Sequence, residues 1–330
     1  MSLYLVTGGA GFIGSNITEE LIKKGEKVRI LDNFSTGKRE NIVKFKDGIE
    51  LIEGDLEDLE IVKRAMDGVD FVLHQGALPS VERSIKEPLT TNRVNILGTL
   101  NVLIAASEVK VKRVVYASSS SVYGDTPTRL TVGQALAVAR ARHGQALPKK
   151  EGMKTSPQSP YAVTKLIGEE YCRIYYSIYG LETVCLRYFN VFGPRQDPSS
   201  QYAAVIPKFI TLMLRGKSPP IYGDGEQSRD FTFIENVVEA NLEACKANGA
   251  SGKVFNIACG KSVTINELVK RLNKILQTRI KPTYQSPRKG DVRYSLADIS
   301  QARKTLYYSP EIGFDAGLEK TVQWFRDTLS

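Results

Sequence analysis

Thr7-Gly8-Gly9-Ala10-Gly11-Phe12-Ile13-Gly14 stands between an apolar run, residues 3–7, and an amphipathic stretch, residues 13–24. Gly8, Gly11 and Gly14 make a G-x-x-G-x-x-G pattern. Glycine permits the tight turn and lets the backbone approach a bulky anion. A helix opening at this point offers unpaired N–H groups, and the positive end of its dipole, to phosphates. A glycine loop alone is weak evidence, but one that follows a strand and opens a helix has the context a dinucleotide site requires. Gly8, Gly11, Phe12, Ile13 and Gly14 are therefore expected to hold a pyrophosphate. The next apolar run, 27–31, ends at Asp32, eighteen positions after Gly14. A carboxylate there accepts hydrogen bonds from ribose hydroxyls and repels a 2′-phosphate, so Asp32 selects NAD over NADP. Asp55-Leu56, after the third run, is either an adenine contact or a solvated turn.

Working outward, β-rich runs at 3–7, 27–31, 49–53, 71–74, 113–117 and 183–187 alternate with helical patterns at 13–24, 59–66, 94–107 and 161–179. That alternation predicts an α/β, Rossmann-type, doubly wound parallel sheet with helices on both faces. After about Gly193 the pattern changes. Helical stretches at 204–214, 234–247, 265–277 and 314–328 mix with short strands and turns. We read residues 1–190 as the NAD-binding domain and 191–330 as a smaller α/β substrate lobe interleaved with it.

Composition sets outer limits. The chain has 330 residues, is 42% hydrophobic and 25% charged, and can bury a core without disulfides. No apolar run nears the ~20 residues that span a bilayer. A strand starting at Leu3 leaves no room for a signal peptide, so a cytoplasmic location is expected. Four cysteines without a C-x-x-C pair, and only two histidines, argue against zinc, and no metal is expected. The net charge of +9 is spread along the chain, which argues against a nucleic-acid partner and suits an anionic small molecule.

The chemistry is carried by two further stretches. The fifth run leads into Ser118-Ser119-Ser120-Ser121, and Tyr161-Ala162-Val163-Thr164-Lys165 opens a helical pattern. Positions four apart share a helix face, so Tyr161 and Lys165 point the same way. A phenol with an ordinary pKa of ~10 is a poor base at neutral pH. A nearby ammonium and a positive nicotinamide ring would bring it down to ~7, a change of roughly 4 kcal/mol. Tyr161 could then take a hydroxyl proton as hydride leaves the same carbon, with a serine sharing the hydrogen bond.

In this combination the chain resembles the extended short-chain dehydrogenase/reductases, and among them the UDP-hexose 4-epimerases, over nearly its whole length. The resemblance implies catalytic roles for Tyr161, Lys165 and Ser119, and adds Asn33, Ser35, Thr36, Gly37, Gln75, Ala77, Asn95, Ser118 and Tyr188 to the NAD contacts. It also implies substrate contacts. In 186–194 (LRYFNVFGP), Asn190 corresponds to a diphosphate ligand; 202–208 (YAAVIPK), with Ala204, Val205 and Lys208, resembles a uridine-binding stretch. Arg229, in 223–231 (GDGEQSRDF), and Arg288 correspond to the arginines on the diphosphate, and Asp291 to a ribose ligand. Two arginines suit a diphosphate because each offers paired donors. Ser80, Ser120, Gln196 and Tyr222 complete the implied substrate contacts.

Within this resemblance the sugar is oxidised at C4, the 4-keto sugar rotates, and hydride returns to the other face, so NAD is regenerated. Ser119-Ser120-Ser121 lacks the carboxylates of the related dehydratases and decarboxylases. A small residue at Ser295 implies room for an N-acetyl group, hence UDP-GlcNAc/UDP-GalNAc, with UDP-glucose/UDP-galactose beside them. Alternatives are a UDP-glucuronate epimerase, a 4-reductase, or a non-catalytic NAD sensor, which would not need Tyr161 and Lys165. A homodimer formed through the helices near 95–107 and 161–179 is a further family expectation. Two departures stand out. Residues 128–146 form an Ala- and Arg-rich insertion, expected as a short helix or flap near the sugar pocket, and Pro79 replaces a glycine common near the reacting end. His74 is expected to be packed rather than catalytic.

Overall fold

The computed structural model describes residues 1–124, 147–198, 204–287 and 293–329. Six parallel strands carry the alternating half: β1 (Leu3–Thr7), β2 (Lys27–Asp32), β3 (Ile49–Glu53), β4 (Phe71–His74), β5 (Arg113–Ser119) and β6 (Thr183–Tyr188). A seventh, β7 (Lys253–Ile257), comes from beyond Gly193 and pairs in parallel with β6. The order across the sheet is β7-β6-β5-β4-β1-β2-β3. The chain thus winds one way from β1 and the other way from β4, and the crevice where strand order reverses lies over the carboxyl ends of β1 and β4.

Alternation along the strands divides the core. Tyr4, Val6, Ile30, Leu73, Val115 and Leu186 pack on one face with Ile17 and Leu21 of α1 (Phe12–Lys23). Leu5, Leu31, Val72, Val114 and Tyr116 pack on the other, with α2 (Leu59–Met66), α3 (Gly98–Glu108) and α4 (Pro160–Tyr179). The inner strands, buried on both faces, are largely apolar, whereas edge strand β3 is partly exposed and carries Glu50 and Glu53. The helical stretch expected at 94–107 divides: Arg93–Leu97 is a π-helical turn running into α3.

The second half adds α5 (Val205–Leu214), α6 (Ile234–Lys246), α7 (Ile265–Leu276) and α8 (Phe314–Leu329). Residues of α6 join the core on the α1 face, so the later chain helps build the sheet's own layer. Phe192, Phe231, Phe233 and Phe314 form a ring cluster with centroids 5.3–6.2 Å apart. Val81–Lys86, Pro88–Asn92, Ser300–Leu306 and β7 are elements the sequence reading did not foresee. Each is short or lacks an uninterrupted apolar period. The insertion 128–146, together with Tyr202, Ala203, Arg288 and Asp291, lies outside the described residues.

Helix α4 starts where Ser159 Oγ accepts the Ala162 N–H, with Pro160 at its first position, and stops at left-handed Gly180. It sits tight on the sheet because residue 168 is glycine: a Cβ there would stand 2.2 Å from the Tyr116 hydroxyl. At the next position, Glu169 forms a buried ion pair with Arg187 of β6 at 2.7 Å. Burial alone would pull the Arg187 guanidinium down, but Glu169 holds it above its ordinary pKa. Breaking such a pair leaves a buried charge uncompensated. Arg187→Met alone should cost roughly 3–5 kcal/mol in urea unfolding, and Arg187→Met with Glu169→Leu should recover most of it.

Candidate active site

The reversal point opens into one cavity of about 1390 Å³ that runs from the glycine loop to the second half of the chain. At its β1 end the Gly8 N–H donates to the Leu31 carbonyl at 2.8 Å, and Gln75 N–H to the Thr7 carbonyl at 3.2 Å. The loop is shaped so that side chains do not fit. A Cβ on Gly14 would meet the Gly8 carbonyl oxygen at 2.2 Å; one on Gly8, at φ +66°, would lie 2.7 Å from Gly76 Cα. Gly11 is the N-cap of α1 and supplies no side-chain cap. The first N–H groups of the helix therefore depend on another acceptor, which a pyrophosphate provides.

Asp32 is buried, its carboxylate accepting N–H bonds from Ala10 at 2.9 Å and Phe34 at 2.8 Å. Burial raises its pKa; the two N–H bonds work the other way. Each oxygen keeps a lone pair for a ribose hydroxyl. A Cβ on Gly37 would stand 2.9 Å from both oxygens, so a glycine here keeps that rim open. Phe12, Ile13, Asn33, Ser35, Thr36, Asp55 and Leu56 line this end. Asp55 accepts from Asn33 Nδ2 at 2.7 Å, which ties two rim segments together. These residues fit NAD: the glycines and helix terminus suit its pyrophosphate, and Asp32 its adenosine ribose.

The middle of the cavity holds the reacting groups. Ser118, Ser119, Ser120 and Tyr161 line it, with Gln75, Ala77, Pro79 and Ser80 opposite and Tyr188 nearby. Lys165 is buried behind them. Its Nζ donates to the Ala117 carbonyl at 2.7 Å and lies 6.0 Å from the Tyr161 ring centre. Burial pushes the ammonium down to about 8. Desolvation raises the Tyr161 phenol, and a hydrogen bond with Ser119 lowers it. The expected fall to ~7 assumed a bound nicotinamide ring beside the lysine; in the protein alone the lysine's charge is directed at the end of β5, and desolvation outweighs the help from Ser119. NAD held by the glycine loop and Asp32 would supply the hydride acceptor, and Tyr161, with its hydrogen bond to Ser119, is the expected proton acceptor in this lining.

Other expected contacts are placed differently. Asn95 does not line the cavity. It is buried, bonded to both backbone groups of Leu78 and to Thr164 Oγ1, and so fixes the 77–80 loop to α4. Val205 and Lys208, on the first turn of α5, and Tyr222 are likewise absent from the lining, while Asn190, Gln196, Ala204, Arg229 and Ser295 are present. The amide oxygens of Asn190 and Gln196 are buried without a protein partner, and Asn190 takes a positive φ of 34°. Unsatisfied amides facing a cavity suit a polar ligand. His74 is buried between Thr7 and Thr99, and desolvation pushes it down to about 3, so it stays neutral and structural.

Sequence reading missed the groups behind the serines. Ser118 Oγ donates to buried Glu169, which also accepts from Arg187. A carboxylate thus reaches the serine run, but from the rear and already paired. The spacing Tyr161, Lys165, Glu169 was the available signal. Among the described residues, no cluster of His, Cys, Asp or Glu is placed to hold a metal, and no helix is long and apolar enough to cross a membrane.

Residues 4–258 match the model of the NAD dependent epimerase/dehydratase family. A putative UDP-glucose 4-epimerase of Methanocaldococcus jannaschii is 36% identical over 98% of this chain and 99% of its own length. Among solved structures, a UDP-N-acetylglucosamine 4-epimerase from Methanobrevibacter ruminantium, in complex with UDP-N-acetylmuramic acid, is 41% identical, with a TM-score of 0.90 over 99% of both chains. A UDP-glucuronic acid 4-epimerase from Bacillus cereus, in complex with UDP-glucuronic acid and NAD, is 30% identical, with a TM-score of 0.87 over 99% of both chains. The chain belongs to the NAD dependent epimerase/dehydratase family. It is an isomerase of the UDP-sugar 4-epimerase kind and works with NAD.

Tyr161→Phe should lower kcat by roughly 10²–10⁴-fold. Ser119→Ala removes a bond that lowers the Tyr161 pKa, so the alkaline-rising limb of the kcat profile should move to higher pH. A pH series from 6 to 10 on the two variants checks both.

Proposed function

We propose that the chain interconverts the C4 epimers of UDP-hexoses with room for an N-acetyl group, UDP-GlcNAc and UDP-GalNAc, and also takes UDP-glucose and UDP-galactose. The observation that carries this reading is Ser295. It is half-buried and lines the same cavity as Tyr161 and Ser119, so a small side chain stands where a bulky one would narrow the sugar pocket. The likeness to the Methanobrevibacter ruminantium epimerase supports it.

On this reading the substrate diphosphate lies near Asn190 and Arg229, with Arg288 and Asp291 as further candidate ligands. Tyr161 takes the C4 hydroxyl proton while the C4 hydride passes to NAD. After the 4-keto sugar turns its other face, the hydride returns to C4 and the proton to the oxygen on C4. Atoms and electrons balance within one cycle, and no outside reductant is consumed.

Purified protein should carry NAD and convert UDP-GlcNAc to UDP-GalNAc without added reductant. Ser295→Tyr should lower kcat/KM for UDP-GlcNAc at least ten-fold more than for UDP-glucose. Turnover of UDP-glucuronate alone, or net consumption of NADH, would replace this reading with an alternative.

We also propose that two copies associate. Ile85, Leu89, Leu97 and Val163 are 62%, 79%, 42% and 40% exposed, on the segments beside α4 and on α4 itself. Apolar side chains gathered on neighbouring elements favour being covered. A second copy meeting these segments would cover them. Sedimentation should show a dimer, and Leu89→Glu with Leu97→Glu should give a monomer.

A further inference from the structure

One short segment, 228–232, is bonded to both sides of the substrate end. Ser295 N–H donates to the Ser228 carbonyl at 3.1 Å, and Thr232 N–H to the Asn190 carbonyl at 3.2 Å. Ser228–Arg229 pairs antiparallel with Val263–Thr264, and Thr232–Phe233 pairs in parallel with Val191–Phe192. Arg229, Asn190 and Ser295 all line the cavity. Asp230 stands in the middle of the segment, does not line the cavity and is 0% exposed.

Its carboxylate ties this segment to two others. Oδ1 accepts Cys259 N–H at 2.9 Å; Oδ2 accepts Gly260 N–H at 3.0 Å and Ala297 N–H at 3.2 Å. Cys259 and Gly260 lie just past the end of β7. Tyr308 holds the same loop, its hydroxyl donating to the Ala258 carbonyl at 2.9 Å. Ala297 belongs to the wall that carries Ser295. Asp230 therefore joins the large sheet, the arginine-bearing strand and the sugar wall. Donors on both oxygens suit a carboxylate: an amide offers one acceptor oxygen and turns its NH2 toward the remaining N–H groups. Burying the charge costs free energy that an apolar side chain would not. What the fold obtains is a fixed position for Arg229 against Ser295.

We propose that Asp230 is a positioning residue for the substrate's diphosphate, its carboxylate setting Arg229 relative to Asn190 and Ser295 through the backbone N–H groups it holds. This rests on the reading above that the diphosphate lies near Asn190 and Arg229. Burial pushes the Asp230 pKa up to about 6, while the N–H bonds from Ala297, Cys259, Gly260 and Lys261 work the other way. Facing it, burial pushes the Cys259 thiol up to about 11 and the Tyr308 phenol well above its usual value. Lys261 and Arg303 are the charged groups beside these two; Arg229 and Asp298 flank the carboxylate on its own strand and in the wall. A proton on Asp230 replaces a lone pair with an O–H aimed at N–H donors. Affinity for the diphosphate thus falls as pH drops through about 6.

The test measures binding of UDP-glucose to holoenzyme by calorimetry, for the wild type and Asp230→Asn, beside kcat, KM and NAD content. UDP-glucose is the probe because both its phosphates are esterified and do not titrate in this range. Asp230→Asn should raise Kd and KM about ten-fold, with a much smaller change in kcat and full NAD content. The wild-type Kd should rise about ten-fold from pH 7 to pH 5, the limit for one linked proton across that interval, and the variant should lack this rise. The wild-type series stands even if the variant does not fold. An unchanged Kd in the variant, loss of NAD together with affinity, or a wild-type Kd that stays flat from pH 7 to pH 5 would overturn the assignment. Arg229→Met that binds UDP-glucose as the wild type does would instead remove the diphosphate reading beneath it.

Discussion

The site depends on how α4 is seated against the end of β5. Three contacts made within about one turn, by residues 165, 168 and 169, hold it. Lys165 donates to the Ala117 carbonyl, Gly168 leaves space for the Tyr116 ring, and Glu169 joins Ser118 to Arg187. Together they set the distance between the phenol of Tyr161 and the serine run. A charged pair buried this deeply contributes little net stability against an apolar alternative. Its value here is geometric: it locks the helix at one height on the sheet, and the Tyr161 hydroxyl moves with the helix.

That seating also changes the role of the lysine. Spacing alone suggests that Lys165 serves the phenolate. In the folded chain its ammonium is bonded to a strand carbonyl and pushed down to about 8 by burial. The lysine therefore fixes α4 to β5 directly and acts on the phenol only at longer range. Desolvation meanwhile raises the Tyr161 pKa, and the hydrogen bond with Ser119 works against it.

The second half of the chain is more than an appended lobe. β7 completes the large sheet, α6 packs in the same layer as α1, and the wall around Ser295 joins residues 147–149, 228–229 and 293–298. The sugar pocket is thus assembled from three stretches far apart in sequence, while the dinucleotide end comes almost entirely from the first eighty residues. Cofactor binding and substrate choice can vary separately, because they draw on different parts of the chain.

The residues themselves determined the parallel sheet, the glycine loop, Asp32 and the Tyr161/Lys165 pair. Each rests on local physics: strand and helix periods, turns that exclude a Cβ, and a four-residue helical repeat. The short elements were not legible, since helices of five to seven residues and a five-residue edge strand carry little periodic signal. Nor were the partners that lie across the fold. Asn95 resembled a cofactor ligand but packs behind the wall, and Val205, Lys208 and Tyr222 stand back from the cavity. Glu169 facing Ser118, and Lys149 bridging Ala297, are pairings between segments 51 and 148 residues apart. No local rule sets such a distance; only the order of strands and the packing of α4 on them bring those side chains together.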